Sequence, residues 1–174
     1  MKRSKITILL AIVLGMTFHS CLDLEPQDQL GGKNMWTSVN DYKQFANTFY
    51  SWTRDFSSVV YDGTHSDKRS DLITYQSYNE FSRGINSIPS SDANYTDNYK
   101  HIRRTNLLLQ NAEAYAKPED IKQYIGEAYF FRAYSYFDLL QLYGDVIITK
   151  KPLDITDPEM KVKRNDRSEV VDLI

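Results

Sequence analysis

Gly126-Glu127-Ala128-Tyr129-Phe130-Phe131-Arg132-Ala133-Tyr134-Ser135-Tyr136-Phe137-Asp138-Leu139-Leu140-Gln141-Leu142-Tyr143-Gly144-Asp145-Val146 is the stretch that decides the fold. It belongs to a helix predicted from about Ile121 to Tyr143, with Gly144 in the place a left-handed cap uses. That helix holds eight aromatic residues: Tyr124, Tyr129, Phe130, Phe131, Tyr134, Tyr136, Phe137 and Tyr143. The rings do not keep to one stripe, so the helix is apolar on most sides and should be covered by neighbours. Ala128 and Ala133 allow close approach, and rings at helical spacing read first as core packing. Val146-Ile147-Ile148 then leaves in an extended form, and Asp157-Pro158 turns the chain again.

Upstream, Ala116-Lys117-Pro118-Glu119-Asp120 is a short break. Pro118 suits a first helical position, which needs no amide hydrogen, and Glu119 and Asp120 favour the positive end of the helix dipole. So short a connection predicts two antiparallel helices. The preceding one starts near Asn94, where Tyr95, Tyr99, Ile102, Asn106 and Leu109 recur at steps of four and three. Leu108 and Ala112 widen that stripe, and Arg103, Arg104 and Gln110 point outward. Asn106 sits on the buried line, where an amide normally bonds a neighbouring group and acts structurally. A first helix opens at Trp36-Thr37-Ser38, capped by Thr37 or Ser38. Val39, Tyr42, Phe45, Ala46, Phe49 and Tyr50 form its apolar face, and it fades near Trp52-Thr53. Residues 54–93 show no lasting period; a short helix or irregular packed segment is expected over 70–81.

The beginning of the chain reads differently. Lys2, Arg3 and Lys5 precede an apolar run over 6–18, too short to span a membrane and patterned as a secretory signal over 1–20. The run stops at Phe18-His19-Ser20-Cys21, and Cys21 is the only cysteine. A lone cysteine in an exported chain cannot form an internal disulfide. It is either an incidental thiol or the residue acylated at a lipoprotein cleavage site, and its position after the apolar run favours lipidation of Cys21. Several acyl chains on one residue would hold far more firmly than one. Residues 21–35, with Asp23, Glu25, Pro26, Asp28 and Gly31-Gly32, read as an acidic extended tether, either a plain solvated leader or a sorting signal. Removing the signal changes the net charge from −2 to −5, since it carries three basic residues and no acidic ones. There is no basic footprint for nucleic acid and no polybasic patch for anionic lipid.

Reactive constellations are missing from the sequence. His19 leaves with the signal, which keeps only His65 and His101. No His-Glu-x-x-His, cysteine pair, calcium loop, phosphate loop or Gly-x-Ser-x-Gly elbow is present, so no metal, no cofactor and no catalytic residue is expected. Asp154, Asp157 and Glu159 read as a solvated acidic turn. Asn94-Tyr95-Thr96 matches a glycosylation sequon but is discounted beside a bacterial lipoprotein signal. At the far end, 167–174 opens a helix capped by Asp166 or Ser168 and stops on its second turn. This pattern predicts the N-terminal fragment of a longer protein.

The block over 126–146 closely resembles the signature helix of the SusD/RagB family of nutrient-uptake surface lipoproteins. Tyr95, Tyr99, Ile102 and Asn106 resemble that family's aromatic, Tyr, Ile, Asn series, with Tyr95 where Trp is usual. Cys21 followed by Leu22-Asp23-Leu24-Glu25-Pro26 is similar to its lipidated start, and Arg167-Ser168-Glu169-Val170-Val171 to its next helix. Ile147 stands where the family often has Pro. The resemblance implies a mainly α, all-helical scaffold of tetratricopeptide-like pairs over 36–174, incomplete here. It also implies a binding protein and not an enzyme, held at the outer membrane by lipid and facing outside. Its partners would be an oligosaccharide or other nutrient and a SusC-like TonB-dependent transporter. The other reading is a helical-repeat lipoprotein that binds only protein. The ligand-site residues stay unknown; Tyr61, Tyr75 and Tyr78 are weak candidates, with most of the site expected beyond this chain.

Overall fold

Three of the four α-helices among the described residues start at a short polar side chain, Ser38, Asp92 or Asp166, and the fourth starts at Pro118. The computed structural model describes residues 35–54, 83–85, 87–154 and 156–174. The signal over 1–20, Cys21, the acidic leader, His65, Tyr61, Tyr75, Tyr78 and the helix expected over 70–81 lie outside the described residues.

The first helix, α1 (Val39–Asn47), is started by Ser38 and not Thr37. The Ser38 hydroxyl accepts from the Asp41 amide at 3.3 Å, and the Asp41 carboxylate accepts from the Ser38 and Thr37 amides at 2.8 and 3.0 Å. This reciprocal capping box satisfies donors that the first turn would otherwise leave free. Past Asn47 the chain tightens into a 3-10 turn, Thr48–Trp52. The Thr48 hydroxyl donates to the Phe45 carbonyl at 2.6 Å and the Ser51 hydroxyl to the Thr48 carbonyl at 2.8 Å. Side chains that take up backbone carbonyls in this way compete with the regular ladder.

Two long helices follow, α2 (Ala93–Glu113) and α3 (Pro118–Tyr143). Asp92 caps α2 through the Asn94 amide at 2.9 Å, and Pro118, Glu119 and Asp120 occupy the first turn of α3 as their chemistry dictates. The pair is antiparallel, because Leu109 and Ala112 pack with Ile121 in one core cluster while Ile102 packs with Tyr136 and Leu139 in another. The first cluster is completed by Tyr42, Phe45 and Ala46 of α1 and by Phe49 of the 3-10 turn. The second is completed by Val146 and by Val170 of α4 (Arg167–Leu173), which Asp166 caps. Among the described residues there are four α-helices and no strand; Val146 and Asn165 form a single antiparallel bridge. The mainly α class expected from the sequence is the observed one.

The cover of α3 is the point of difference. Phe131 and Tyr136 are buried, but Tyr129, Phe130 and Phe137 are 53%, 61% and 45% exposed. Among the described residues, α1 and α2 cover one side of the helix, and the segment after Gly144 covers its end. Phe130 instead rests edge-on against Phe131 and stacks at 6.5 Å with Tyr134 on the helix surface.

Candidate functional site

Among the described residues the segment after α3 pairs with no strand beyond the single Val146–Asn165 bridge, so its other backbone groups need other partners. Side chains of the two long helices supply them. The Tyr99 hydroxyl donates to the Ile147 carbonyl and accepts from the Ile147 amide, both at 2.9 Å. The Tyr136 hydroxyl accepts from the Thr149 amide at 2.7 Å and donates to its carbonyl at 3.2 Å. Asn106 donates to the carbonyls of Thr149 and Lys151 at 3.0 and 3.3 Å, and its own carbonyl accepts from Arg132 at 3.0 Å. Asn165 then accepts from the Ile148 amide at 2.9 Å. Two tyrosines and two asparagines thus do for this segment what a neighbouring strand does in a sheet. Burial pushes the Tyr99 hydroxyl well above the usual phenol range and raises that of Tyr136, which keeps both neutral and able to donate as well as accept.

The clamped segment stands off the N-terminal half of α2 and leaves a cleft of about 460 Å³. That volume lies in the range of small-ligand sites. Its floor is apolar: Tyr95, Tyr99, Ile147, Leu153 and Met160. Its charged rim is Lys100, Arg103, Lys151 and Glu159. Tyr95 is fixed edge-on against Tyr143 at 5.1 Å and lies 4.8 Å from Tyr99, so the aromatic part of the floor is held from both sides. Arg103 reaches the Leu153 carbonyl with Nε at 3.3 Å and the Asp154 carboxylate at 3.6 Å; Lys151 pairs with Glu159 at 2.7 Å. The Glu159 carboxylate holds the Lys151 ammonium pKa up.

Residues singled out in the sequence fall into place unevenly. Asn106 is structural, as its position on the stripe implies. Arg103 and Arg104 are exposed yet engaged, Arg104 donating to Thr48 at 2.8 Å and lying over the Phe45 ring. The acidic turn is a hydrogen-bonded turn: Asp157 accepts from the Asp154 amide at 2.7 Å, while Asp154 and Glu159 face cations. No group of three His, Cys, Asp or Glu is placed to hold a metal among the described residues. His101 stacks on Trp52 at 4.0 Å, and burial holds its pKa below the ordinary value. Sequence reasoning missed the cleft and the tyrosine clamp. The signal was available: an extended apolar exit with no strand partner, opposite two tyrosines whose hydroxyls needed partners once buried.

Comparison with known proteins places this geometry. Residues 22–174 match the SusD-like family described as starch-binding and associating with the outer membrane. A SusD-like protein of Formosa agariphila is 28% identical over 193 residues, covering 99% of this chain and 36% of that protein. The crystal structure of a SusD-like protein from Bacteroides fragilis superposes with a TM-score of 0.64 at 21% identity, over 85% of this chain and 30% of that one. The chain thus spans about a third of the length of the relatives it matches, and the structural likeness carries the fold. With the family match running from residue 22 to its last residue, the chain belongs to the SusD-like family.

Proposed function

We propose that this chain is part of a surface lipoprotein of the outer membrane that captures glycans or other nutrients and passes them to a TonB-dependent transporter. The observation that carries this reading is the family match over 22–174, a family described by starch binding and outer-membrane association. The cleft over α2 supports it, being concave, floored by two tyrosine rings and rimmed by polar groups. The reading makes the protein a binder and not an enzyme. Attachment would be through lipid on Cys21, whose place after a basic head and an apolar run supports that role. No helix among the described residues is long and apolar enough to cross a membrane. The exposed rings of α3 favour a protein neighbour as well, so a purely protein-binding module is the second reading.

Retention on immobilised polysaccharides separates the two. Binding to at least one glycan is expected; failure on every glycan, with a transporter still co-purifying, would leave only the protein-binding module. Replacing Cys21 with Ala and fractionating cells tests the anchor. The variant should leave the membrane fraction, and its retention there without detergent would overturn lipidation.

A further inference from the structure

Charge on the rim of the cleft over α2 is balanced pair by pair. Lys100 meets Asp97 at 2.8 Å, Arg103 meets Asp154 at 3.6 Å and Lys151 meets Glu159 at 2.7 Å. An anion brought to any of these cations also approaches its carboxylate, and a cation brought to the carboxylates approaches their partners. A hydroxyl group meets no such conflict, because it donates and accepts at once. Both members of the Lys151–Glu159 pair line the cleft, and each side chain is about half exposed. An ammonium carries three donors and a carboxylate two acceptor oxygens, so a pair joined through Glu159 Oε1 keeps capacity on both sides. Other polar groups around the cleft are already committed: the Tyr99 hydroxyl to both backbone groups of Ile147, and the Thr149 amide and carbonyl to Tyr136. The cleft thus offers an apolar floor and, on its rim, a donor beside an acceptor.

We infer that Lys151 and Glu159 are the specificity-determining couple of a subsite for an uncharged sugar ring. Two neighbouring hydroxyls of the ring bridge the couple, one accepting from the Lys151 ammonium and the other donating to the Glu159 carboxylate. The C–H face of the ring lies on the Tyr95–Tyr99 floor, where apolar contact adds to the hydrogen bonds. This rests on the nutrient-binding reading above and narrows it, at this cleft, to glycans without charge. A uronate or sulfate group would set its own charge against Glu159.

The test is calorimetric titration of the full chain with maltohexaose, xylohexaose, mannohexaose and hexagalacturonate. At least one neutral probe should bind more tightly than hexagalacturonate, with little dependence on salt. Glu159→Gln should weaken that neutral probe roughly tenfold, the worth of one hydrogen bond to a charged group. The same variant should bind hexagalacturonate more tightly than before, since Lys151 is then an unpaired cation. Lys151→Met should weaken the neutral probe and the acidic one alike. Exposed pairs of this kind add little stability, so the unfolding midpoints of both variants should stay close to that of the parent chain, which separates recognition from a structural role. Hexagalacturonate binding as tightly as every neutral probe, or a neutral affinity indifferent to both substitutions, would overturn the inference while leaving nutrient binding intact. Binding of none of the four, with other glycans retained, would overturn it too; retention of no glycan at all would remove the reading beneath it.

Discussion

Asn106 has donors and an acceptor in use at once, holding Thr149 and Lys151 on one side and Arg132 on the other. It is 1% exposed, so removing the amide leaves buried groups without partners and without water to replace them. Asn106→Leu should therefore cost about 2–3 kcal/mol, since an unsatisfied buried group carries its full desolvation penalty. A urea titration checks this: the midpoint should fall with an unchanged slope. That Asn106 is structural could be read from its place on the apolar stripe. Its partners could not, because they lie 43 and 45 residues further along and the sequence carries no mark of that pairing. His101 gives a second residue-scale expectation. Burial against Trp52 lowers its pKa, although Asp97 and Asp138 pull upward while Arg104 and Lys100 push down with the burial. The unfolded chain then binds more protons than the folded one, so this stability is present above the ordinary histidine value of about 6.5 and is lost as pH falls through the folded value. Unfolding midpoints should drop between neutral and mildly acidic pH, and His101→Gln should flatten that drop; an unchanged slope would assign the pH dependence to other groups.

At the scale of elements, the helix starts were legible because a cap is a local device. Ser38, Pro118 and Asp166 stand within a few residues of the turns they serve, whereas the Asp92 cap of α2 and the Asp41 half of the first capping box went unread. The 3-10 turn over Thr48–Trp52 was hidden, since it depends on which carbonyls the Thr48 and Ser51 hydroxyls take up. The end of α3 lies between these cases. Gly144 stands where a cap was expected and has φ 69°, yet ψ −107° places it outside the left-handed helical region. A Cβ there would lie 3.2 Å from Nη2 of Arg167, a side chain that can move, so the backbone angle carries the cost. Gly144→Ala should lose about 1–2 kcal/mol, the penalty an L-residue meets at positive φ. The loss should appear in thermal unfolding as a lower midpoint, and a neutral result would mean that the turn relaxes to negative φ.

For the whole molecule, the aromatic content of α3 was plain in the sequence, but which faces are covered depends on neighbours that periodicity does not name. The cleft was illegible for the same reason: its walls come from α2 and from a segment some fifty residues later, such as Arg103 against Leu153, separated by 50. The exposed rings have a physical consequence that can be measured. Tyr50, Tyr129, Phe130 and Phe137 are each about half exposed, and Phe130, Tyr134 and Phe137 follow one another at helical steps of four and three along one side of α3. Contiguous apolar surface of this kind drives association in water, because burying it against another surface releases hydration at roughly 25 cal/mol per Å². The isolated chain should therefore self-associate as its concentration rises. The double variant Phe130→Gln, Phe137→Gln should sediment as a smaller species at equal concentration. Because both rings are largely outside the core, its unfolding midpoint should move little, within about 0.5 kcal/mol of stability per site. Loss of the fold in that variant would make the two rings core residues, and unchanged association would place the adhesive surface elsewhere on the molecule.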